Sequence, residues 1–169
     1  ISLKDFKFEY IHYIKTICSS SYTKSVNASF RQLENFIGNP LLNDIEAITI
    51  DRFITKTFIR AKYAAYLYYR SLKASFSKAV SWGYLSENPF LKVKFPKIPR
   101  NYPYIITNHD FNKILFHTKE QFLKDLFITA KNSGMRVSEL TNLKKYWINF
   151  EEGLIQIKHT ETFTTKGKQ

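Results

Sequence analysis

The segment Ser133–Leu143 holds the residues whose types and spacing are best suited to chemistry. Gly134 ends a helical pattern and Ser138 is predicted to cap the next helix, so a short turn presents Arg136 beside a helix N-terminus. A guanidinium in that place can bind a phosphate through two parallel hydrogen bonds. Glu139 can hold the guanidinium or complement the helix dipole. An arginine that is ion-paired only for packing is the alternative that these residues leave open.

The sequence offers little support for a metal or nucleotide cofactor. The four histidines are dispersed, and none belongs to a known ligand motif. The five glycines do not form a phosphate-binding loop, and the single cysteine, Cys18, cannot form an internal disulfide. We therefore expect no metal and no other cofactor, and a lone cysteine favours a reducing, cytoplasmic setting.

The charge of the chain indicates a polyanionic partner. Lys and Arg number 26 against 14 Asp and Glu, a formal net charge of +12. The sequence contains no run of about 18 apolar residues, the length that a membrane-spanning helix requires.

The stretch from Arg52 to Ser86 has no acidic residue, although solvated faces normally mix charges of both signs. A nucleic-acid surface is favoured there over a merely solvated basic face. The bases in this stretch are Arg52, Lys56, Arg60, Lys62, Arg70, Lys73 and Lys78.

Apolar residues at helical spacing predict four helices in the first half of the chain. The first opens with the cap Ser2 and occupies residues 2–18, and the second ends at Gly38. The third is predicted to begin with Thr49 as its cap. The fourth runs from about Lys62 to Trp82 and Gly83.

Residues 92–103 contain three prolines and four bases without an acid, which predicts an extended linker. Beyond it, Thr107 is predicted to cap a short helix and Thr118 a second helix that ends at Ser133 and Gly134. A hairpin should follow, with its turn at residues 151–153. A region with so few strands looks like part of a longer protein. The side chains of the helix capped by Thr118 that are expected to face the core are Phe122, Leu123, Leu126, Phe127 and Ala130.

The run Ser-Gly-Met-Arg-Val-Ser-Glu-Leu at 133–140, with Trp-Ile-Asn at 147–149 before the hairpin, resembles the first catalytic-arginine box of the tyrosine recombinases, the phage integrase and Xer-like group. Residues 82–90, which end in Asn-Pro-Phe, are similar to the close of the SAM-like core-binding domain of integrases. Residues 94–99 resemble the interdomain linker, and 104–107 resemble the entry to the catalytic domain. The resemblance therefore covers the whole chain.

This resemblance implies a mainly α fold in three parts. Residues 1–92 would form a four-helix SAM-like core-binding domain, and 93–103 a basic, proline-rich linker. Residues 104–169 would form the N-terminal part of an α+β catalytic domain with one β-hairpin, incomplete in this chain.

The resemblance also implies roles for individual residues. Arg136 would bind the scissile phosphate and stabilise charge on its nonbridging oxygens, with Glu139 in support. The family places a lysine on the turn of the following hairpin, where it protonates the departing 5′-oxygen. Lys166 is the predicted general acid, and Lys158 and Lys168 are the alternatives.

The implied partner is double-stranded DNA at a recombination site, held between the two domains. The longer protein would assemble as a tetramer on paired sites, and the present chain would be monomeric without DNA. Ser71, Ser75 and Ser77 are expected near the groove. Phosphate contacts are expected from Arg60, Lys62, Arg70, Lys73, Lys78, Lys94 and Lys97.

Two expected motifs of the family are absent from this sequence. No histidine is followed by arginine three residues later, and no tyrosine stands in the context of the nucleophile. The chain alone is therefore expected not to cleave DNA, whereas the longer protein would act through a 3′-phosphotyrosine without metal or ATP. A non-catalytic helical DNA-binding regulator or a degenerate recombinase remnant is the alternative. A third possibility is an interaction protein whose basic surface meets an acidic partner.

Overall fold

The computed structural model describes residues 1–99, 102–160 and 163. The chain divides into two compact units, Ile1–Asn101 and Tyr102–Gln169. No helix in the described residues is long and apolar enough to cross a membrane.

The first unit contains the four helices that the apolar spacing predicts. Ser2 caps the first through its hydroxyl oxygen, which accepts a hydrogen bond from the Asp5 amide, and Ser19 caps the second in the same way. Gly83, just beyond the fourth helix, has a φ of 79°, a backbone conformation that glycine adopts readily. The helices are α1 (Leu3–Ile17), α2 (Ser20–Ile37), α3 (Ala47–Arg60) and α4 (Lys62–Ser81), with 3₁₀ turns at Leu42–Asp44 and Pro89–Lys92.

The predicted cap of α3 was wrong. The helix begins at Ala47, and Thr49 lies in its first turn. The carbonyl oxygen of Glu46 already accepts hydrogen bonds from the amides of Thr49 and Ile50. Ile45 is buried in the core immediately before this turn, so tertiary packing sets where the helix starts.

An aromatic cluster forms the centre of the first unit. The fully buried ring of Phe6 lies 5.9 Å from Phe30 and 6.0 Å from Phe76, which joins α1, α2 and α4. Burying one such side chain contributes about 1.5–3 kcal/mol. Burial also raises the pKa of Tyr10, in the same cluster, to about 12.

Asn88 joins the chain after α4 back to that helix. Its buried side-chain amide donates to the Lys73 carbonyl oxygen at 2.9 Å and to Ser77 Oγ at 2.8 Å, and its Oδ1 accepts from the Phe90 amide at 2.9 Å. Pro89 follows and begins the 3₁₀ turn, and Phe90 is fully buried against Phe76. The Asn-Pro-Phe sequence thus closes the helical unit by satisfying buried polar groups and filling the core.

The described residues of the second unit form three helices and a hairpin. Thr107 caps its first helix as predicted, since its Oγ1 accepts from the Asp110 amide. Hydrogen bonds from the Tyr104 and Thr107 hydroxyls lower the pKa of Asp110. The elements are α5 (Asn108–His117), α6 (Gln121–Ser133), α7 (Val137–Thr141), a 3₁₀ turn at Lys145–Trp147, and the strands β1 (Ile148–Asn149) and β2 (Leu154–Ile155).

Two details of α6 differ from expectation. Thr118 ends α5 instead of capping α6, because its hydroxyl donates to the Ile114 carbonyl oxygen and α6 starts only at Gln121. Phe122 was expected inside but is 72% exposed. The described part of the second unit buries little apolar surface, so helical periodicity alone does not decide which α6 side chains are covered.

The hairpin is present but its strands are short. Ile148 pairs with Ile155 and Asn149 with Leu154 in antiparallel register. The Asn149 side chain accepts hydrogen bonds from the Glu151 and Glu152 amides and so shapes the turn. The mainly α fold with one small antiparallel hairpin is confirmed.

Replacing Asn88 with alanine is expected to lower the free energy of unfolding of the first unit by about 1–3 kcal/mol, because two acceptors, the Lys73 carbonyl oxygen and Ser77 Oγ, and one donor, the Phe90 amide, would lose their partner. Urea denaturation followed by circular dichroism measures this. Asn27→Ala, at an exposed position on α2, is the control and should leave stability unchanged or slightly raised. Equal stability of the two variants would contradict a structural role for Asn88.

Candidate nucleic-acid interface and arginine site

Arg136 lies on the short turn between α6 and α7. Gly134 ends α6 in the left-handed conformation, with φ 65°. Arg136 itself is extended and is the residue before the first turn of α7, which begins at Val137. The predicted cap at Ser138 was therefore wrong, because Ser138 lies within the first turn of α7, two residues after the observed cap position.

Glu139 holds Arg136 at two points. One carboxylate oxygen accepts a 2.8 Å hydrogen bond from the Arg136 amide, and the other accepts a 2.8 Å bond from Nη1 of its guanidinium. These bonds lower the pKa of Glu139, the amide bond having the larger effect. Glu139 is buried, whereas the Arg136 side chain is 63% exposed. The carboxylate thus orients the guanidinium while leaving most of its surface accessible to an anion.

The structure describes only one of the three lysines considered for the hairpin turn. Lys158 is exposed in the segment after β2. Lys166 and Lys168 lie outside the described residues, so the choice among the three stays a prediction.

Three of the predicted DNA-binding cations lie along one side of the first unit, each above an aromatic ring. Lys62 Nζ is 5.9 Å from the ring centre of Phe58, and Arg70 Cζ is 5.9 Å from that of Tyr66. Lys73 Nζ is 5.5 Å from that of Tyr69. We call Lys62, Arg70 and Lys73 the cation cluster.

Each ring of the cation cluster stands four residues before its cation in the sequence. Within α4 that spacing places Tyr66 and Tyr69 on the same side of the helix as Arg70 and Lys73. Phe58 lies in the last turn of α3 and Lys62 begins α4, so their contact crosses the junction between the two helices. A cation above an aromatic face gains about 0.5–1 kcal/mol at an exposed site. The rings therefore restrict where the charges lie, a function that the sequence reasoning missed although the spacing is visible in it.

The remaining predicted contacts are more dispersed. Lys78 lies 4.9 Å from the ring centre of Tyr13 and 5.6 Å from that of Trp82. Five residues separate it from Lys73, which corresponds to about 140° around the helix axis. Lys78 therefore does not join the cation cluster. Arg60, at the end of α3, is exposed, as are Lys94 and Lys97 in the segment after the 3₁₀ turn Pro89–Lys92.

Two of the three serines expected near a groove are instead in the core. Ser71 and Ser75 are buried, and the Ser75 hydroxyl donates to the Ser71 carbonyl oxygen at 2.8 Å. Both lie on the side of α4 that packs inward with Leu72 and Phe76, where small residues allow close approach. Ser77 is exposed and accepts the hydrogen bond from Asn88.

The described residues contain no group of three or more His, Cys, Asp or Glu side chains that could hold a metal ion. The predicted absence of a cofactor stays a prediction.

Comparison with known proteins identifies relatives for much of the chain. No family model matches the sequence. Tyrosine recombinase XerA of Thermococcus onnurineus is 36% identical over 69 residues, which are 40% of this chain and 24% of the relative. Tyrosine recombinase XerC of Thermodesulfovibrio yellowstonii is 30% identical over 121 residues, which are 68% of this chain and 40% of the relative.

The chain is related to the tyrosine recombinases. It spans about a quarter to two fifths of the length of the curated relatives it matches.

Solved structures show the same fold. A lambda integrase dimer bound to a COC′ core site matches with a TM-score of 0.81 and 17% identity, covering 89% of this chain and 56% of the integrase chain. A lambda integrase tetramer bound to a Holliday junction also matches with a TM-score of 0.81 and 17% identity, covering 89% of this chain and 46% of that chain. The chain thus combines a recombinase relation in sequence with an integrase fold.

The Glu139 carboxylate should make the Arg136 turn sensitive to acid. Because its pKa is lowered in the folded chain, the carboxylate stabilises the turn at pH values above the ordinary glutamate pKa of 4.5. This stabilisation is lost as the pH falls through the lowered value. The Arg136 amide resonance, followed by NMR, should therefore titrate below pH 4.5.

Glu139→Gln should abolish this titration of the Arg136 amide, since an amide side chain has no charge to lose. Glu151→Gln, in the hairpin turn, is the control and should leave the titration in place. An unchanged titration in Glu139→Gln would show that another group holds Arg136.

Proposed function

We propose that this chain is the DNA-binding portion of a tyrosine site-specific recombinase, and that its first unit binds the backbone of duplex DNA. The observation that carries the proposal is the cation cluster on a recombinase-related chain. Its three charges are on one side of a helical unit, and the stretch around them from Arg52 to Ser86 has no acid to neutralise them. Such a surface fits regularly spaced phosphates.

The curated relatives are named as tyrosine recombinases, and the integrases of the same fold are bound to DNA. Both support the proposal. Phosphate contacts provide affinity and orientation without reading the sequence, so the identity of the target site lies in other contacts.

Arg136 is the proposed phosphate-binding residue of the reaction. Its guanidinium is oriented by Glu139 and is largely exposed, which suits a fixed donor for the nonbridging oxygens of a scissile phosphate. As charge builds on these oxygens in the pentacovalent transition state, a preoriented guanidinium stabilises it without reorganising. Lys166 remains the proposed general acid for the 5′-oxygen, with Lys158 and Lys168 as alternatives. The tyrosine nucleophile would come from the longer protein.

The longer protein is proposed to assemble as a tetramer on paired DNA sites, as the lambda integrase does on a Holliday junction. The present chain is proposed to be monomeric without DNA. A cytoplasmic location and an origin in a mobile element remain predictions from the sequence.

Neutralising the cation cluster should weaken duplex binding and its dependence on salt. In the triple variant that combines Lys62→Gln, Arg70→Gln and Lys73→Gln, the slope of log affinity against log salt concentration should fall in magnitude by about 2.7. Each phosphate contact contributes about 0.9 to this slope. Fluorescence anisotropy with a labelled duplex of arbitrary sequence measures the slope.

The matched control is a second triple variant, which also removes three positive charges but takes them from exposed lysines of α1 and α2. It combines Lys4→Gln, Lys15→Gln and Lys24→Gln. Its slope should stay close to that of the unaltered chain. Equal effects of the two triple variants would mean that net charge, and not this surface, binds DNA. Absence of duplex binding even at low salt would favour an acidic protein partner instead.

In a full-length recombinase containing this sequence, Arg136→Ala should reduce strand cleavage by at least about 10²-fold, because a transition-state charge would lose its donor. Duplex affinity should remain largely intact. The duplex is first selected from a random pool by its binding to the protein. The amount of covalent protein–DNA adduct formed on a nicked suicide version of that duplex measures strand cleavage.

Arg31→Ala, an exposed arginine of α2, serves as the control for Arg136→Ala and should cleave normally. Near-normal cleavage by Arg136→Ala would remove the arginine from the mechanism. No adduct with the unaltered protein would favour a non-catalytic DNA-binding regulator.

A further inference from the structure

Phe95, in the proline-rich segment after the 3₁₀ turn Pro89–Lys92, does not extend freely into solvent. Its half-buried ring lies among three other aromatic rings of the first unit. The ring centres are 5.7 Å away in Phe58, 5.4 Å in Tyr66 and 5.2 Å in Tyr69. These distances are typical of favourable aromatic contacts, two of them edge-to-face.

The three rings around Phe95 are the same three rings that carry the cation cluster. Lys62 lies above Phe58, Arg70 above Tyr66 and Lys73 above Tyr69. One side chain of the segment after α4 therefore contacts every ring that orients a clustered charge.

Tyr69 adds a polar connection to the same segment. Its hydroxyl donates to the Val93 carbonyl oxygen at 2.9 Å and accepts a 3.4 Å hydrogen bond from Lys73 Nζ. Val93 is itself buried. The backbone at Val93 and the ring at Phe95 are thus both held to α4, and exposed Lys94 lies between them.

We propose that Phe95 is a positioning residue for DNA binding, which orders the rings beneath the cation cluster and places Lys94 and Lys97 beside α4. Long cationic side chains and flexible segments lose conformational freedom when they bind, and ordering them beforehand reduces that cost. The docked segment and α4 then present one phosphate-binding surface. This inference rests on the proposed function.

The first residues of the predicted linker therefore lie against the helical unit. Residues 93–95 are held to α4, so the first charges of the proline-rich segment move with the first unit. A freely extended segment would instead present these lysines over a wide range of positions.

The direct test is Phe95→Ala, with Phe8→Ala as the matched control because Phe8 is 77% exposed on α1. Phe95→Ala should bind a labelled duplex about tenfold more weakly, and its salt slope should fall in magnitude by about 1.8, the contribution of two lost phosphate contacts. Phe8→Ala should keep both values. Phe95→Tyr, which retains a ring, should also keep the slope.

A second readout does not involve DNA. Cleavage by trypsin after Lys97 should be several-fold faster in Phe95→Ala than in the unaltered chain or in Phe8→Ala, because the segment is released from α4. Tyr69→Phe keeps the ring beneath Lys73 but loses the hydrogen bond to Val93, and should show faster cleavage with the helical unit intact by circular dichroism. It provides the test if Phe95→Ala does not fold.

The two readouts separate the possible failures. If the unaltered chain does not bind duplex DNA, the proposed function is wrong, and the positioning role fails with it even where trypsin shows that the segment is docked. If the unaltered chain binds but Phe95→Ala keeps its affinity and salt slope, the positioning role is overturned while the proposed function stands. Unchanged cleavage after Lys97 in both variants would show that the segment is not docked and would also overturn it.

Discussion

The packing of one side of α4 against the other helices is the constraint on which the first unit depends. Leu72, Phe76 and Ala79 are buried, and the ring of Phe76 contacts that of Phe6 on α1. The position of a residue in a helix fixes the direction of its side chain around the helix axis. Burying this side of α4 therefore leaves Lys62, Arg70 and Lys73 on the other side. The surface proposed to bind DNA is therefore a consequence of the core that holds the helix.

Aromatic residues perform two different functions in this unit. Phe6, Phe30 and Phe76 are fully buried and contribute to stability in the ordinary way, by removing apolar surface from water. Tyr66 and Tyr69 are more accessible, and each offers its face to a cation of the cluster. A high aromatic content thus stabilises the unit on one side of α4 and orients charge on the other.

The arginine site depends on local structure instead. Gly134 ends α6, Arg136 is extended, and Glu139 bonds both the amide and the guanidinium of the arginine within three residues. Little of this requires distant contacts. The sequence consequently predicted the turn, the arginine and its carboxylate partner, and missed only that the arginine itself precedes the first turn of α7.

The presence of the helices could be predicted from the sequence because it follows from the spacing of apolar residues. The end of α4 near Trp82 and Gly83 could also be predicted, because it follows from local backbone preference. The starts of α3 and α6 could not, since a threonine can cap or end a helix and neighbouring contacts decide which. The burial of Ser71 and Ser75 was missed for a similar reason. A small polar residue carries no periodic signal for the core. The contact of Phe95 with three rings joins residues up to 37 positions apart (95 − 58), and such proximity exists only after the chain has folded.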